Sequence, residues 1–347
     1  MRWRDESFLN ALLVLAFLGF LVWAQRTLDD YKLRILNLVA INTVAALGLN
    51  LIYGFTGMFS LGHAGFMAVG AYTCALLIMS PLQKKMTFII APLMEPLASV
   101  QWPFLPALLL GGIVAALFAL LIGMPVLKLS GDYLGIATLG FAEIIRVVAN
   151  NVPWLTNGAL GLKGIPSHAN LYWNWGVALF SLFVVVNIAR SNVGNVLKAI
   201  RDDEVAARAM GVDTYRYRVL AFTLGGFFAG LAGGLLGSLL TTIDPKTFTF
   251  FLTFNVLTIV VAGGLGSITG TVVSAAAFTV LLEWLRFVES PTTVFGIHIP
   301  GISGMRMVVF SLLLIAIILF RQEGFLGDRE ITWSSLRAAL ARRGGRS

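Results

Sequence analysis

Runs of about 20 apolar residues are long enough to cross a lipid bilayer, and such runs constrain a fold more than any other pattern. This sequence carries them in series, at 8–24, 35–53, 60–80, 104–127, 133–150, 171–190, 217–242, 248–265, 268–288 and 302–320. Read as helices, they predict an all-α polytopic membrane protein of about ten transmembrane helices. A single membrane domain would occupy 1–320 and a polar tail 321–347. The runs at 248–265 and 268–288 meet at "AGGLGSITG", where a broken or re-entrant element is expected. Composition agrees. Hydrophobic residues make up 58% of the 347 and charged residues only 12%, whereas soluble domains carry about 25% charged residues. The N-terminal "MRWRDESFLNALLVLAFLGFLVWAQ" is read as a first helix over Phe8–Ala24 rather than a cleaved leader. Asp5 and Glu6 dilute its basic start, and no A-x-A site follows.

Charge gives a direction. The net charge of +8 is read as loop placement and not as nucleic-acid binding. With the N-terminus inside, cytoplasmic loops hold fifteen of the 25 Lys and Arg and the opposite loops seven. This predicts cytoplasmic N- and C-termini. The lone cysteine, Cys74, allows no disulfide framework. His63, His168 and His298 stand far apart, so no metal site or cofactor is expected.

One stretch breaks the apolar pattern. "SNVGNVLKAIRDDEVAARAMGVDTYRYR", Ser191 to Arg218, is dense in both signs of charge. Asp202 or Asp203 can cap a helix, Glu204 suits its first turn, and Gly211 suits its end. Asp213 starts the next helix. Val196, Leu197 and Ile200 predict a helical turn continuous with the span ending near Arg190. A short helix, "EVAARAM", is therefore expected across the cytoplasmic face, with Ala206, Ala207 and Ala209 small enough for a partner to approach closely. An ordinary solvated loop would not need the caps. No G-x-x-x-x-G-K-[ST] loop occurs in the chain, so an ATPase that drove solute movement would be a separate protein.

Four motifs carry a family resemblance: "GLNLIYGFTGMFSLGHAGFMAVGAY" (48–72), "PVLKLSGDYLGIATLGFAEIIRVV" (125–148), "AIRDDEVAARAMGVD" (199–213) and "TIVVAGGLGSITG" (258–270). The chain resembles the M-type permeases of ABC importers for leucine, isoleucine and valine (the Liv system). The resemblance implies a permease subunit in a bacterial inner membrane, forming half of a solute pathway. Its implied partners are an H-type second permease, two ATP-binding subunits and a periplasmic substrate-binding protein. It also implies that 191–216 is a coupling region that inserts into the ATPase, with Arg201, Asp202, Asp203, Glu204, Ala206, Ala209 and Gly211 at the contact. The arrangement is expected to be similar to cobalamin and siderophore importer permeases.

Other features keep two readings. "FTGMFSLGHAGFMAVGAY" (55–72) fits tight packing through small residues, with Gly62, Phe66 and Gly70 spaced by four. It also fits a solute path, with Ser60 and His63 as its polar groups. Glu143 and Arg146 share a helix face, and Glu283 and Arg286 repeat the spacing. Each is a self-neutralising pair or a functional site, and Glu143, nearer mid-span, is the better solute-path candidate. "KLSGDYLG" (128–135) is an inside turn or a second cytoplasmic contact. Cargo of the same class, such as urea, amides or other amino acids, stays open. An ion-coupled secondary transporter would need inverted repeats around a charged midplane site, and none is visible. The dispersed His and carboxylates do not build an enzyme site.

Overall fold

The computed structural model describes residues 2–289 except positions 90 and 130, and beyond them 292–294, 297–299, 304, 305, 308, 309, 311, 312, 315, 324, 325, 327 and 330. The helices are α1 (Arg2–Thr27), α2 (Asp30–Thr56), α3 (His63–Ile78), α4 (Pro81–Thr87), α5 (Phe104–Val126), α6 (Asp132–Asn151) and α7 (Pro153–Thr156). They continue as α8 (Leu171–Arg190), α9 (Asn192–Asp202), α10 (Glu204–Ala209), α11 (Thr214–Leu240), α12 (Phe250–Gly263) and α13 (Ile268–Trp284). Two short antiparallel pairs complete the description: β1 (Leu162–Lys163) with β2 (Thr242–Ile243), and β3 (Thr292–Val294) with β4 (Ile297–Ile299).

α11 is the axis of the bundle and packs on α2, α3 and α5. Its sequence "GGFFAGLAGGLLG" explains how. A Cβ on Gly233 would sit 1.9 Å from the Met67 carbonyl oxygen of α3, and one on Gly70 would sit 2.2 Å from the Gly230 carbonyl oxygen of α11. The backbones approach so closely that no side chain fits between them, which is how helices gain contact in lipid.

The expectation of about ten transmembrane helices is corrected. Among the described residues six helical stretches are long and apolar enough to cross a membrane: Asp30–Thr56, Phe104–Val126, Tyr133–Asn151, Leu171–Arg190, Thr214–Leu240 and Pro245–Gly263. The runs at 60–80 and 268–288 fold as α3 and α13, of 16 and 17 residues. At ~1.5 Å per residue they reach about 24–26 Å, short of a hydrocarbon core about 30 Å thick. The 60–80 run loses its first three residues to a non-helical segment between α2 and α3. The 8–24 run lies within α1, whose described side chains include the apolar stretch Val14–Thr27. Most of the 302–320 run falls outside the described residues. Apolar residues can be counted along a sequence, but whether their backbone is helical throughout depends on tertiary partners.

The break expected near 248–268 is present. α12 ends at Gly263, Gly264 and Gly266 have φ of +108° and +83°, and α13 begins at Ile268. Asn50, fully buried in α2, closes this break from inside: Gly266 N donates to its Oδ1 (3.0 Å) and its Nδ2 donates to Ser267 O (3.1 Å). Tail residues meet it too. Ile268 N donates to the Glu330 carboxylate at 2.6 Å, and Phe325 N donates to Ala262 O at 2.7 Å.

Loops sort to two ends. At one end β1 pairs with β2, Thr87 Oγ1 donates to Lys163 O, and the buried Lys84 ammonium donates to the carbonyls of Leu97 and Val100. At the other end the α5–α6 turn, the α8–α11 segment and the α12–α13 break come together around the end of α2.

Candidate functional site

The charged segment forms a compact cap on the second end. α8 and α9 are not continuous. Ser191 between them is extended, and its hydroxyl accepts from Gly194 N. α9 then lies against the bundle with Leu197 and Ile200 buried. Lys198 Nζ sits 5.7 Å above the centre of the Phe55 ring at the end of α2, a cation–π contact.

Of the two aspartates, Asp203 is the cap. Its Oδ1 accepts from Val205 N and Ala206 N at 2.8 and 2.9 Å, which starts α10. Asp202 instead pairs with Arg201 Nε at 3.1 Å. Gly211 ends the element at φ +85°. Gly211 N donates to Arg208 O and Val212 N to Ala207 O, a Schellman closure that a residue with a Cβ strains to adopt. Asp213 caps α11 by accepting from Arg216 N.

Two of the expected contact residues turn inward. Glu204 accepts from Arg208 Nη2 (2.8 Å), from Thr214 Oγ1 (3.2 Å) and, through both carboxylate oxygens, from Arg218 Nη1 (3.2 Å each). It ties α10 to the first turns of α11. Arg201 reaches the other way: its Nη1 donates to Gly54 O near the end of α2 at 3.2 Å, and a Cβ on Gly266 would lie 2.7 Å from the same nitrogen. Arg201 thus packs between the end of α2 and the α12–α13 break.

Small and apolar residues also face outward, beside the exposed Asp202 and Arg208. Ala206 and Ala209 are exposed and Ala207 is buried. Val205 and Met210, 78% and 85% exposed, flank them. The sequence reading passed over Val205 and Met210. The signal was there, since aliphatic residues on a short capped helix amid charges have no inward face left to fill. The segment therefore presents small and aliphatic side chains, bordered by charge, on a base tied to α11 by ion pairs.

The solute-path candidates lie deeper. α2 ends at Thr56, Gly57 takes φ +71°, and six non-helical residues run back before α3 starts at His63. A Cβ on Gly48 would come within 3.4 Å of His63 Cε1. Gly48 is eight residues before Thr56, about 12 Å along the axis, so the segment re-enters the bundle. Irregular backbone at such depth must find partners in the protein. Leu61 N donates to Thr138 Oγ1 of α6 (3.0 Å), Ala64 N to Thr253 Oγ1 of α12 (2.9 Å) and Gly62 N to Ser60 Oγ (3.4 Å). Thr138 and Thr253, both buried, were missed from sequence because their partners are 77 and 189 residues away.

Ser60 and His63 are both fully enclosed. The imidazole lies against the backbone of Ala45, and neither nitrogen makes a well-formed hydrogen bond. Gly62, just before α3, and Gly70 within it are both close-approach positions. Glu143 stands apart: its Oε2 meets Arg146 Nη2 at 2.7 Å, and its side chain is 40% exposed. Among the described residues no hydrogen bond joins it to Ser60 or His63. Glu283 pairs likewise with Arg286 at 3.2 Å and also accepts from Tyr31 Oη.

Comparison with known proteins places this geometry in a family. Residues 31–318 match the family described as branched-chain amino acid transport system / permease component. The chain is 32% identical over 317 residues to the high-affinity branched-chain amino acid transport system permease protein LivM of Escherichia coli K12, covering 82% of this chain and 69% of that one. It is 23% identical over 314 residues to the probable LivM permease of Methanocaldococcus jannaschii (83% and 91% covered). To LivH of Salmonella typhimurium it is 25% identical over 306 residues (82% and 91% covered). No solved structure matches the chain, so the expected similarity to cobalamin and siderophore importer permeases is not upheld. A multi-pass bundle with a capped, partner-sized helix at one end, matched over most of its length by transport permeases, identifies the chain as a member of the branched-chain amino acid transport permease family.

Proposed function

We propose that this chain is a membrane subunit of an ATP-driven importer of branched-chain amino acids, and that α10 with its flanks is the handle by which a separate ATPase moves it. The observation that carries this reading is the division of labour in 201–211. Arg201 and Glu204 anchor the segment from behind, Asp203 and Gly211 set its ends, and Val205, Ala206, Ala209 and Met210 face outward. An anchored helix transmits a push, whereas a floppy loop absorbs it.

The family membership supports leucine, isoleucine and valine as cargo, and an assembly with an H-type permease, two ATP-binding subunits and a periplasmic binding protein. In this reading residues 1–320 form one permease domain, 191–216 are its coupling region, and 321–347 are a polar tail. Both termini face the cytoplasm of a bacterial inner membrane. Ser60 and His63, at the re-entrant segment, contribute to the half-pathway. Glu143 serves it from α6, next in sequence to Ile144 and Ile145, which line a cavity of about 460 Å³ between α3, α5 and α6 while Glu143 itself does not.

The test is reconstitution with the co-expressed subunits, followed by uptake of leucine, urea and glutamate with and without ATP. Leucine accumulation that needs both ATP and the ATPase is expected. Preference for urea or glutamate would replace the cargo, and uptake without the ATPase would replace the mechanism.

A further inference from the structure

A second feature lies beside α10. A cavity of about 420 Å³ is walled by the α5–α6 turn on one side and by α10 with the start of α11 on the other. Tyr215 Oη donates to Met124 O at 2.7 Å and holds the two walls together. Lys128, Arg208 and Arg218 line the cavity along with one carboxylate, Glu204. Both arginines already bind that carboxylate. Lys128 is exposed and has no ion-pair partner among the described residues. The Arg218 side chain is only 11% exposed, and its Nε is buried without a hydrogen-bond partner. The lining therefore holds three cationic side chains against one carboxylate, a surplus that a guest carboxylate matches.

We infer that this cavity is a socket for an aspartate or glutamate side chain of the ATPase, making the α5–α6 turn a second docking element beside α10. The inference rests on the reading of α10 as the ATPase handle. Val205, 78% exposed on the α10 wall of the same cavity, joins the two, so one protein surface covers both. A guest acid there gives the contact charge selectivity that the alanine face of α10 lacks.

Lys128 is the residue to test, because among the described residues it makes no ion pair whose loss would loosen the fold. Retention of the co-expressed ATPase on the detergent-solubilised permease is measured at low and high salt, with membrane level as control. Lys128→Glu is expected to weaken retention about tenfold at low salt, and Lys128→Arg to preserve it. A carbodiimide should join Lys128 to an acidic residue of the ATPase by an amide found by mass spectrometry, and Lys128→Arg should lose that link while keeping the ATPase. Wild-type retention by Lys128→Glu would overturn the socket. If Ala206→Trp still released the ATPase in that case, the handle would stand without it, and if Ala206→Trp were also silent, both would fall. If Lys128→Glu instead lowered only the binding of phosphatidylglycerol over neutral lipid in nanodiscs, the cavity would be a headgroup site and the socket would be wrong.

Discussion

The two irregular regions of this protein solve opposite problems. The re-entrant segment at 57–62 carries no charge; hydroxyls of Thr138 and Ser60 accept from its Leu61 N and Gly62 N, and Thr253 accepts from Ala64 N in the first turn of α3 that follows. The 191–213 segment lies at the end of the bundle and is held by charge: Glu204 to Arg218, Arg201 to Gly54 O, Asp203 to the start of α10. In lipid the cost of an unmet polar group favours neutral, short partners. At the aqueous face charge is affordable, and it fixes a short helix that could not hold its own shape. The two regions meet at the end of α2, where Arg201 and Asn50 both touch the α12–α13 break. A push on α10 thus has a continuous bonded route toward the segment that holds Ser60 and His63.

If that division is right, the interior should be the less forgiving. Asn50→Leu removes the acceptor of Gly266 N and one of the donors to Ser267 O, which keeps those of Thr271, and should cost about 1–3 kcal/mol for the lost pairing. It should lower the thermal midpoint in detergent more than any change in α10. A midpoint equal to wild type would mean that the break is held elsewhere.

Glu204→Gln comes next. It keeps the shape but removes the charge that both arginines share, and should cost about 1–2 kcal/mol, discounted for partial exposure. ATPase retention should fall more than the thermal midpoint does, because the base of the handle loosens while the bundle stays. A fall in midpoint with normal retention would contradict the anchoring role.

Gly211→Val acts only on the end of α10. A Cβ there meets nothing within 4 Å, so the cost is conformational, about 1–2 kcal/mol from the left-handed φ. Uptake should drop with membrane level unchanged, whereas Gly211→Asn, which tolerates that conformation, should restore most of it.

The smallest effect is expected at the paired carboxylates. Glu143→Gln and Glu283→Gln each remove a partly exposed ion pair worth about 0.3–0.5 kcal/mol. Transport should fall more for Glu143→Gln if Glu143 serves the path. Equal, small losses that track stability would leave both as self-neutralised pairs.

How much of this was legible follows the range of the interactions. The caps at Asp203 and Gly211 act within five residues; the sequence marks Gly211 and narrows the other to Asp202 or Asp203. The role of Glu204 needed Arg218, fourteen residues on, and that of Arg201 needed Gly54, 147 residues back. The count of spans failed for the same reason. "GFTGMFSLGHAGF" is as apolar as a helix interior, and the hydroxyls that receive Leu61 N and Ala64 N, those of Thr138 and Thr253, come from other helices. "AGGLGSITG" was easier, because paired glycines with positive φ announce a break locally.

The central claim is that the outward face of α10 is a docking surface. Ala206→Trp and Ala209→Trp place an indole where a close contact has no room for one, and neither side chain holds the fold together. The measurement is pull-down of the co-expressed ATPase with ATP-dependent leucine uptake in the same membranes, normalised to permease level. The account predicts normal insertion, diminished ATPase retention and loss of uptake in both variants. Variants that insert normally, keep the ATPase and transport at the wild-type rate would contradict it and reduce 191–213 to a charged loop.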